Sequence, residues 1–389
     1  MITTINNKNK KPNVPNLRFP EFEGEWEEYR IEDITENISS GRCKSHSSSG
    51  KYNLYGSTGI IGKTNEACYE GNLVLVARVG ANAGSLQILN EPCGITDNTL
   101  IIKPKEVDVQ YIYYFLQHFN LNRLIFGSGQ PLITGGMLKK VKVSLGTIQE
   151  QNKITRLLSI LDERIATQNK IIDKLQSLIK GMEDNLLDNP LWKKTYLRSF
   201  MQFFPTNSLS WEQLSYKEGA IRNLHYGLIH DLQTRGINSA SLPMIKNEAI
   251  PKQYTLCQVG DVAFADASED TGEIAKSVEF VDTIEGDTIC GLHTIHGRDI
   301  KNRTVVGFKG FAFNSRYFHN QIKRLAQGTK VFSITANNLS SCYVYLPDFD
   351  TQKAIVKLLK AYEEKLLVSK RLLEQYEKQK QYLLRQMFI

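Results

Sequence analysis

The stretch ITRLLSILDERIATQNKIIDKLQSLIKGMEDNL, residues 154–186, decides the fold of this chain. Its apolar residues recur at alternating steps of four and three, which is the seam pattern of a coiled-coil helix. The same pattern returns 201 residues later, from Ile355 onward. The predicted seam positions are Ile154, Leu158, Leu161, Ile165, Gln168, Ile172 and Leu175 in the first run, and Ile355, Leu359, Tyr362, Leu366, Ser369, Leu373 and Tyr376 in the second.

The repetition extends beyond the two helical runs. The matching pairs are GSGQPLITGGMLKKVKVSL (127–145) with GTKVFSITANNLSSCYVYL (328–346), GNLVLVA (71–77) with GDVAFAD (260–266), and Phe19-Pro20 and Trp26 with Phe204-Pro205 and Trp211. A period this long excludes a solenoid. We expect two modules that share a frame and differ in their loops, which is how binding specificity is usually diversified.

An α+β fold is predicted, because short β-like runs punctuated by Gly and Asn precede each helical run. Two long helices cannot each leave an apolar stripe in water, so we expect them to pack on each other, antiparallel if a pseudo-two-fold axis relates the halves. The predicted segments are a disordered arm (1–16), a first β-rich module (17–147), a central helix (148–190), a second β-rich module (191–347) and a C-terminal helix (348–389).

The middle seam position is polar in both runs, Gln168 in the first and Ser369 in the second. One buried polar residue in a seam fixes the register of pairing at some cost in stability. A seam that is partly exposed at this point explains the same two residues equally well. The sequence leaves both interpretations open.

Composition sets broad limits on function. The chain has 389 residues, enough for two domains with separate cores, and contains no apolar run of the ~18 residues that a membrane span needs, so a cytoplasmic protein is expected. The net charge of +7 is compatible with nucleic-acid binding, although 48 basic and 41 acidic residues make it weak support. Six cysteines without the spacing of zinc ligands predict reduced thiols and no metal site.

Motifs of catalysis are not convincing. Asn189-Pro190-Leu191-Trp192 imitates the Asn-Pro-Pro-Tyr loop of adenine methyltransferases, but it follows a helical run and no Gly-rich S-adenosylmethionine loop precedes it. We interpret it as a helix stop. The sequence contains no GxxxxGK[ST] phosphate loop, so ATP use by this chain is not expected.

Eight segments are distinctive in combination: LRFPEFEGEWEEYRIEDI (17–34), YGSTGIIGKTN (55–65), GNLVLVARVGANAG (71–84), GSGQPLITGGMLKKVKVSL (127–145), IQEQNKITRLLSILDERI (148–165), IRNLHYGLIH (221–230), GDVAFADASEDTGEIAK (260–276) and GLHTIHGRD (291–299). In these segments, and so over nearly its whole length, the chain resembles the specificity subunits of type I restriction-modification systems. Two segments depart from the family pattern. The loop GTKVFSIT (328–335) lacks the Gly-x-Gly and Pro of its partner, and the link 187–211 is less typical.

The resemblance implies a non-catalytic DNA-recognition subunit whose β-rich modules are target recognition domains. Each domain would read one part of a split double-stranded target, and the helices would set the spacer. The implied partners are two DNA methyltransferase subunits, which use S-adenosylmethionine to methylate adenine N6, and two restriction subunits that translocate DNA with ATP and magnesium; no cofactor is expected in this chain. The alternatives are a stand-alone DNA-modifying enzyme and a structural coiled-coil spacer that does not bind DNA.

A DNA reader needs phosphate contacts that position it and base-edge contacts that specify sequence. Gly-rich turns let backbone N–H groups approach phosphates, while Arg, Gln and acidic side chains can pair with guanine, adenine and cytosine respectively. The candidates are Arg42, Tyr55, Gly56, Ser57, Thr58, Arg78, Asn82, Ser128, Gly129, Gln130 and Lys139 in the first module, and His225, Tyr226, Asp266, Ser268, Glu269, Asp270, His293, His296, Arg298, Lys323, Arg324 and Lys330 in the second. Ordinary hairpins with solvated polar tips are the alternative.

Insertion of four residues near Gln168 is expected to lengthen the spacer of the DNA target, because a helix extends by about 1.5 Å per residue. Methylation-aware sequencing of DNA from cells that carry the variant and its partner subunits measures the spacer. An unchanged spacer would refute the idea that the helices act as a ruler.

Overall fold

The structure is a computed structural model that describes residues 13–43, 49–125, 131–232, 235–282, 284, 286–328 and 330–389. The chain divides into two compact units. Unit 1 comprises Met1–Asn169 and Leu372–Ile389, and unit 2 comprises Lys170–Arg371. Each unit holds one β-rich module and a part of each long helix. No helix of the described segments is long and apolar enough to cross a membrane.

Unit 1 is a mixed α+β module that leads into a long helix. Its strands are β1 (Glu27–Arg30), β2 (Thr35–Ser40), β3 (Tyr52–Gly56), β4 (Gly59–Thr64), β5 (Leu73–Ala77), β6 (Leu86–Leu89), β7 (Cys93–Ile95), β8 (Thr99–Pro104) and β9 (Lys142–Leu145), and its helices are α1 (Val109–Phe119), α2 (Gly135–Lys139) and the first part of α3 (Ile148–Leu187). An antiparallel sheet has the order β2-β8-β5-β6, and a second sheet has the order β4-β3-β7 with β3 and β7 parallel. Strands β1 and β9 pair separately.

Unit 2 has the same organisation. Its strands are β10 (Lys193–Tyr196), β11 (Met201–Phe204), β12 (Leu214–Ser215), β13 (Ile221–Leu224), β14 (Gly236–Ile237), β15 (Met244–Ile245), β16 (Val262–Ala265), β17 (Ala267–Ser268), β18 (Ser277–Phe280), β19 (Thr288–Cys290), β20 (Thr294–Asp299), β21 (Phe332–Ser333) and β22 (Tyr343–Leu346), and its helices are α4 (Tyr226–Asp231), α5 (Phe308–Ala312), α6 (Arg316–Leu325), α7 (Ala336–Ser341) and the first part of α8 (Phe349–Met387). The main sheet has the order β11-β20-β16-β18-β14, and a second sheet has the order β12-β15-β13-β19.

The two units repeat one topology. The order β2-β8-β5-β6 in unit 1 corresponds to β11-β20-β16-β18 in unit 2, and the parallel pair β3-β7 corresponds to the parallel pair β13-β19. The pair β1-β9 before α3 corresponds to β10-β22 before α8. This repetition confirms the predicted α+β fold with a duplicated module and long helices.

The second module begins at Trp192, so the predicted match of Trp26 with Trp211 is wrong. Strand β1 follows Trp26 and pairs with β9, and strand β10 follows Trp192 and pairs with β22. The two antiparallel pairs have the same register. Trp26 is buried and Trp192 packs against the core of unit 2, whereas Trp211 is 46% exposed. The shared Phe-Pro and Trp residues misled the comparison because strand pairing, not aromatic identity, defines equivalence.

The long helices pack antiparallel within each unit. In unit 1, Leu158 of α3 and Leu383 of α8 belong to one core cluster, and Lys380 Nζ lies 2.6 Å from Asp162 Oδ1. In unit 2, the end of α3 and the start of α8 share a second core cluster.

Seam positions differ in their burial. The buried ones are Ile154, Leu158, Leu161, Gln168, Ile172, Leu175, Ile355, Leu359 and Ser369, and the partly buried ones are Ile165, Tyr362, Leu366, Leu373 and Tyr376. Gln168 is 7% exposed and Ser369 is 8% exposed. Of the two interpretations of the polar seam position, burial therefore holds and partial exposure does not.

Order near the N-terminus begins earlier than predicted. Asn13 Nδ2 donates to the Trp26 carbonyl (2.6 Å), and the Trp26 N–H donates to the Asn13 carbonyl (2.8 Å). Residues 13–16 are therefore part of the module rather than of a disordered arm. The rest of that predicted arm, residues 1–12, lies outside the described residues.

A buried glutamine joins α3 to the first module. Gln151 is 4% exposed, and its Nε2 donates to the carbonyl of Gly146 at 3.0 Å. Its Oε1 accepts the N–H of Asp108 at 3.3 Å, one residue before α1 begins. One side chain thus satisfies two buried backbone groups and fixes α3 against the segment that starts α1.

The second module uses the same device 201 residues later. Gln352 is 1% exposed, its Nε2 donates to the carbonyls of Pro347 (3.0 Å) and Arg303 (3.1 Å), and its Oε1 accepts the N–H of Val305 (2.9 Å). Gly146 and Pro347 also stand 201 residues apart. We call these two residues, Gln151 and Gln352, the helix clamps.

Gln352→Ala is expected to lower the free energy of unfolding by about 1–3 kcal/mol, because it leaves buried backbone groups without partners. Urea denaturation followed by circular dichroism measures this loss. Gln379→Ala, at an exposed position of the same helix, should change stability by less than about 0.5 kcal/mol. Equal effects of the two substitutions would show that the clamp has no special role.

Candidate nucleic-acid interface

Loops at one end of the first module are joined by backbone hydrogen bonds. The Arg78 N–H donates to the Asn98 carbonyl, and the Ile133 N–H donates to the Arg78 carbonyl, both at 2.9 Å. Ser57 Oγ, in the β3–β4 turn, also donates to the Asn98 carbonyl, at 3.1 Å. Arg78 follows β5 and Asn98 precedes β8, so the turn and three loops form one surface at this end of the antiparallel sheet.

The second module contains the same arrangement. The Asp266 N–H donates to the His293 carbonyl, and the Ile334 N–H donates to the Asp266 carbonyl, both at 3.0 Å. Asp266 follows β16 and His293 precedes β20, the counterparts of β5 and β8. Tyr226, just after β13, lies edge-on to the His293 ring with centroids 5.2 Å apart.

We call the two equivalent sets of loop residues the loop frames: Arg78, Asn98 and Ile133 in the first module, and Asp266, His293 and Ile334 in the second. Their hydrogen bonds connect the same backbone groups in the same directions. Their polar side chains differ completely, with a guanidinium and an amide in one frame and a carboxylate and an imidazole in the other. A common backbone therefore presents two different sets of donors and acceptors.

The polar side chains of the loop frames are at least partly exposed. Asn98 is exposed, and Nε of the half-buried Arg78 is buried with no hydrogen-bond partner among the described residues. In the second frame, His293 is 49% exposed and its Nδ1 lies 3.1 Å from Asp266 Oδ1. His293 also holds a φ of +53°, a strained conformation for a residue with a side chain, which is typical of functional loops.

The other candidates of the first module fall into two groups. Tyr55 donates to Glu91 Oε1 (2.7 Å), and burial together with this hydrogen bond raises the pKa of Tyr55 to about 12, so its hydroxyl serves the module itself. Gly56 is buried at the base of the turn. The exposed candidates are Arg42, Thr58, Asn82 and Lys139. Ser128, Gly129 and Gln130 lie outside the described residues.

The other candidates of the second module are distributed more widely. His225 is 3% exposed and accepts the Gly227 N–H at the start of α4, so its role is to cap a helix. Ser268 lies in β17, which pairs with β21 beside the loop frame. The exposed candidates are Glu269, Asp270, Lys323, Arg324 and Lys330.

His296 and Arg298 do not belong to a DNA surface, which corrects their prediction. Asp261 is 1% exposed, and its carboxylate accepts hydrogen bonds from His296 Nε2 (2.7 Å) and from Arg298 Nε and Nη2 (2.8 and 2.7 Å). Burial alone would raise the pKa of Asp261, but these bonds hold it below its usual value. His296 and Arg298 are two residues apart on β20, so their side chains lie on the same face of the sheet, and Asp261 precedes β16 at the end opposite the loop frame.

Metal ligands were not expected from sequence spacing, yet three potential ligands converge in the second module. Cys257, Cys290 and His296 each offer a ligand atom, and these atoms lie within 4.8 Å of one another. The three residues come from different strands or loops, so their proximity depends on strand pairing.

Asn98 is the functional candidate that sequence reasoning missed. It stands 195 residues before His293, and the strands that follow, β8 and β20, are both six residues long. A comparison of strand starts would have found it. The sequence match of residues 71–77 with residues 260–266 has a spacing of 189, whereas Asn98 and His293 are 195 residues apart. The spacing changes because the loops between equivalent strands differ in length, so the sequence match did not reveal this equivalence.

The fold and its loop frames define a duplicated recognition protein, with two modules that present different side chains on one backbone plan. Residues 23–177 match the family described as "Type I restriction modification DNA specificity domain". The chain is 25% identical to the type I restriction enzyme MjaVIII specificity subunit of Methanocaldococcus jannaschii, in an alignment of 399 residues that covers 94% of this chain and 91% of that protein. Over nearly its whole length the chain is therefore similar to a type I restriction enzyme specificity subunit.

Solved structures show the same fold. The S subunit of a type I restriction-modification system from M. genitalium matches with a TM-score of 0.64 at 16% identity, over 97% of this chain and 99% of that chain. A chain from a structure of complex assembly and conformational transition of the type I R-M system matches with a TM-score of 0.54 at 12% identity, over 95% and 98%.

Asp261→Asn is expected to destabilise unit 2 by about 3–5 kcal/mol at pH 7, because it leaves Arg298 without its buried partner. The folded-state pKa of Asp261 is depressed, so its contribution is full above the unfolded pKa of about 3.9 and is lost as the pH falls through the folded value. Urea denaturation at pH 7 and at about pH 2 measures the difference between the wild-type chain and the variant, which should shrink as the pH falls through the folded-state pKa. The matched control is Asp266→Asn, which should cost little at either pH.

Proposed function

We propose that this chain is a type I restriction-modification specificity subunit that recognises a bipartite double-stranded DNA target, reads one part with each module, and performs no catalysis itself. The observation that carries the proposal is the repeated loop frame, in which identical backbone hydrogen bonds present Arg78 and Asn98 in one module and Asp266 and His293 in the other. Two unlike readers suit a target whose two parts differ in sequence.

The side chains of each frame suit base edges in the major groove. Arg78 can donate two hydrogen bonds to guanine, and Asn98 can pair with adenine through its amide. Asp266 can accept a hydrogen bond from the cytosine N4 amine. A carboxylate suits this amine better than it suits a phosphate, because carboxylate and phosphate are both negatively charged. The exposed hydroxyl and ammonium groups of Thr58, Lys139 and Lys330 would position the modules on the DNA backbone.

The long helices would dock the catalytic partners. In unit 2 they expose Ile171 (38%), Leu178 (45%) and Val368 (61%), and in unit 1 they expose Ile160 (41%) and Tyr382 (58%). Apolar side chains exposed along the helices are suited to contact with a partner protein. We propose two DNA adenine methyltransferase subunits as the occupants.

Two restriction subunits would join this complex for cleavage. S-adenosylmethionine would be bound by the methyltransferase subunits, and ATP and magnesium by the restriction subunits. A complex that acts on cellular DNA in this way would work in the cytoplasm.

The double variant Arg78→Ala/Asn98→Ala should relax one part of the target and leave the other part unchanged. Asp266→Ala/His293→Ala should do the reverse. Each lost bidentate contact is expected to reduce discrimination by about 10- to 100-fold. The measurement is methylation-aware sequencing of DNA treated with S-adenosylmethionine and the complex of each variant with its partner subunits.

Lys103→Ala is the matched control, since Lys103 is exposed on β8 toward the end opposite the loop frame and pairs with Glu36 at 2.7 Å. It should leave both parts of the target unchanged. If both double variants altered the same part, or if neither altered the target, the reading of DNA by the loop frames would be wrong.

A further inference from the structure

Two thiols and an imidazole meet in the interior of the second module, where the proposed DNA reading makes no use of them. Cys257, Cys290 and His296 are 7%, 2% and 1% exposed. Their sulfur atoms lie 3.6 Å apart, and a ring nitrogen of His296 lies within 4.8 Å of both. We call these three residues the thiol–imidazole cluster.

We propose that the thiol–imidazole cluster binds a zinc ion that braces the second module. Thiolate and imidazole are the ligands that zinc prefers in proteins, in tetrahedral geometry. Zinc–sulfur bonds of about 2.3 Å at a tetrahedral angle place two sulfurs about 3.8 Å apart, and a sulfur and a nitrogen about 3.5 Å apart. The observed sulfur separation already meets this requirement.

Paired strands hold the ligands in place. The Cys257 N–H donates to the Thr288 carbonyl at 2.8 Å, at the opposite end of β19 from Cys290. His296 lies within β20, between β11 and β16 in the main sheet. Ligands on paired strands lose little freedom when a metal binds, so this part of the binding cost is already met by the fold.

Asp261 orients the imidazole as a carboxylate does behind a metal-binding histidine. Its oxygens accept from His296 Nε2 (2.7 Å), from the Arg298 guanidinium and from the Gln258 N–H (2.8 Å). A carboxylate that accepts at every contact makes His296 Nε2 the protonated nitrogen, and the lone pair remains on Nδ1 for a metal. Carboxylate–histidine–zinc arrangements of this kind raise the basicity of the ligand.

Charge balance favours the same occupant. Two thiolates neutralise a divalent ion, and the neighbouring Asp261 carboxylate is neutralised by Arg298. The loaded site would carry no net charge, so its burial would impose no large solvation cost. A water molecule would complete the tetrahedron, since the cluster supplies three ligands.

Metal analysis of the purified full-length chain tests the proposal. Inductively coupled plasma mass spectrometry should find about one zinc per chain, and the single variants Cys257→Ser, Cys290→Ser and His296→Asn should each reduce it to less than about a tenth. Cys342→Ser is the matched control, because Cys342 is equally buried in unit 2 but is not part of the cluster, and it should retain the metal.

Cobalt titration of the chelator-treated wild-type chain gives a readout that does not depend on the folding of a variant. One equivalent should produce the sulfur-to-cobalt charge-transfer band and the intense visible bands of a tetrahedral thiolate site. The proposal is overturned if the wild-type chain neither contains zinc nor takes up cobalt in this form. It is equally overturned if the cysteine variants keep their zinc, or if peptide mapping finds Cys257 and Cys290 joined as a disulfide.

Discussion

A buried glutamine near its start fixes each long helix against its module, and the direction in which the helix presents its seam depends on this contact. Gln151 and Gln352 lie one turn inside their helices. Each satisfies a backbone group just before its own helix and at least one more in the segment that precedes an earlier helix of the module. A helix so anchored cannot rotate about its axis without leaving buried polar groups unpaired. The apolar seam is therefore presented in a definite direction from each module.

A few hydrogen bonds also fix the loop frames of both modules. Backbone hydrogen bonds among Arg78, Asn98 and Ile133, repeated among Asp266, His293 and Ile334, define where the loops lie. The polar side chains of the loop frames take no part in those backbone bonds, so they can change while the backbone bonds persist. This separation of a fixed backbone from exchangeable side chains is the physical condition for a protein that diversifies what it recognises.

Sequence patterns predicted the parts of the structure that local physics controls. The heptad spacing located both long helices to within a few residues, because a helix in water must bury its apolar stripe. Individual site residues were harder to assign. His296 and Arg298 have the polarity of residues that contact DNA, yet they bind a buried carboxylate. Trp211 resembles Trp26 in its sequence neighbours, although strand pairing makes Trp192 the equivalent of Trp26. These assignments depend on which strands pair, and residue type carries little information about pairing.

The sequence by itself determined the duplication, the α+β class and the long helices, since periodicity is a local pattern and repetition is visible when the sequence is compared with itself. Only the tertiary structure decided that Asn98 and His293 are equivalent, and that Cys257, Cys290 and His296 meet in one interior site. These relations join residues far apart in the chain through strand register. A one-residue change of register would direct each side chain to the other face of its sheet, which no local pattern reveals.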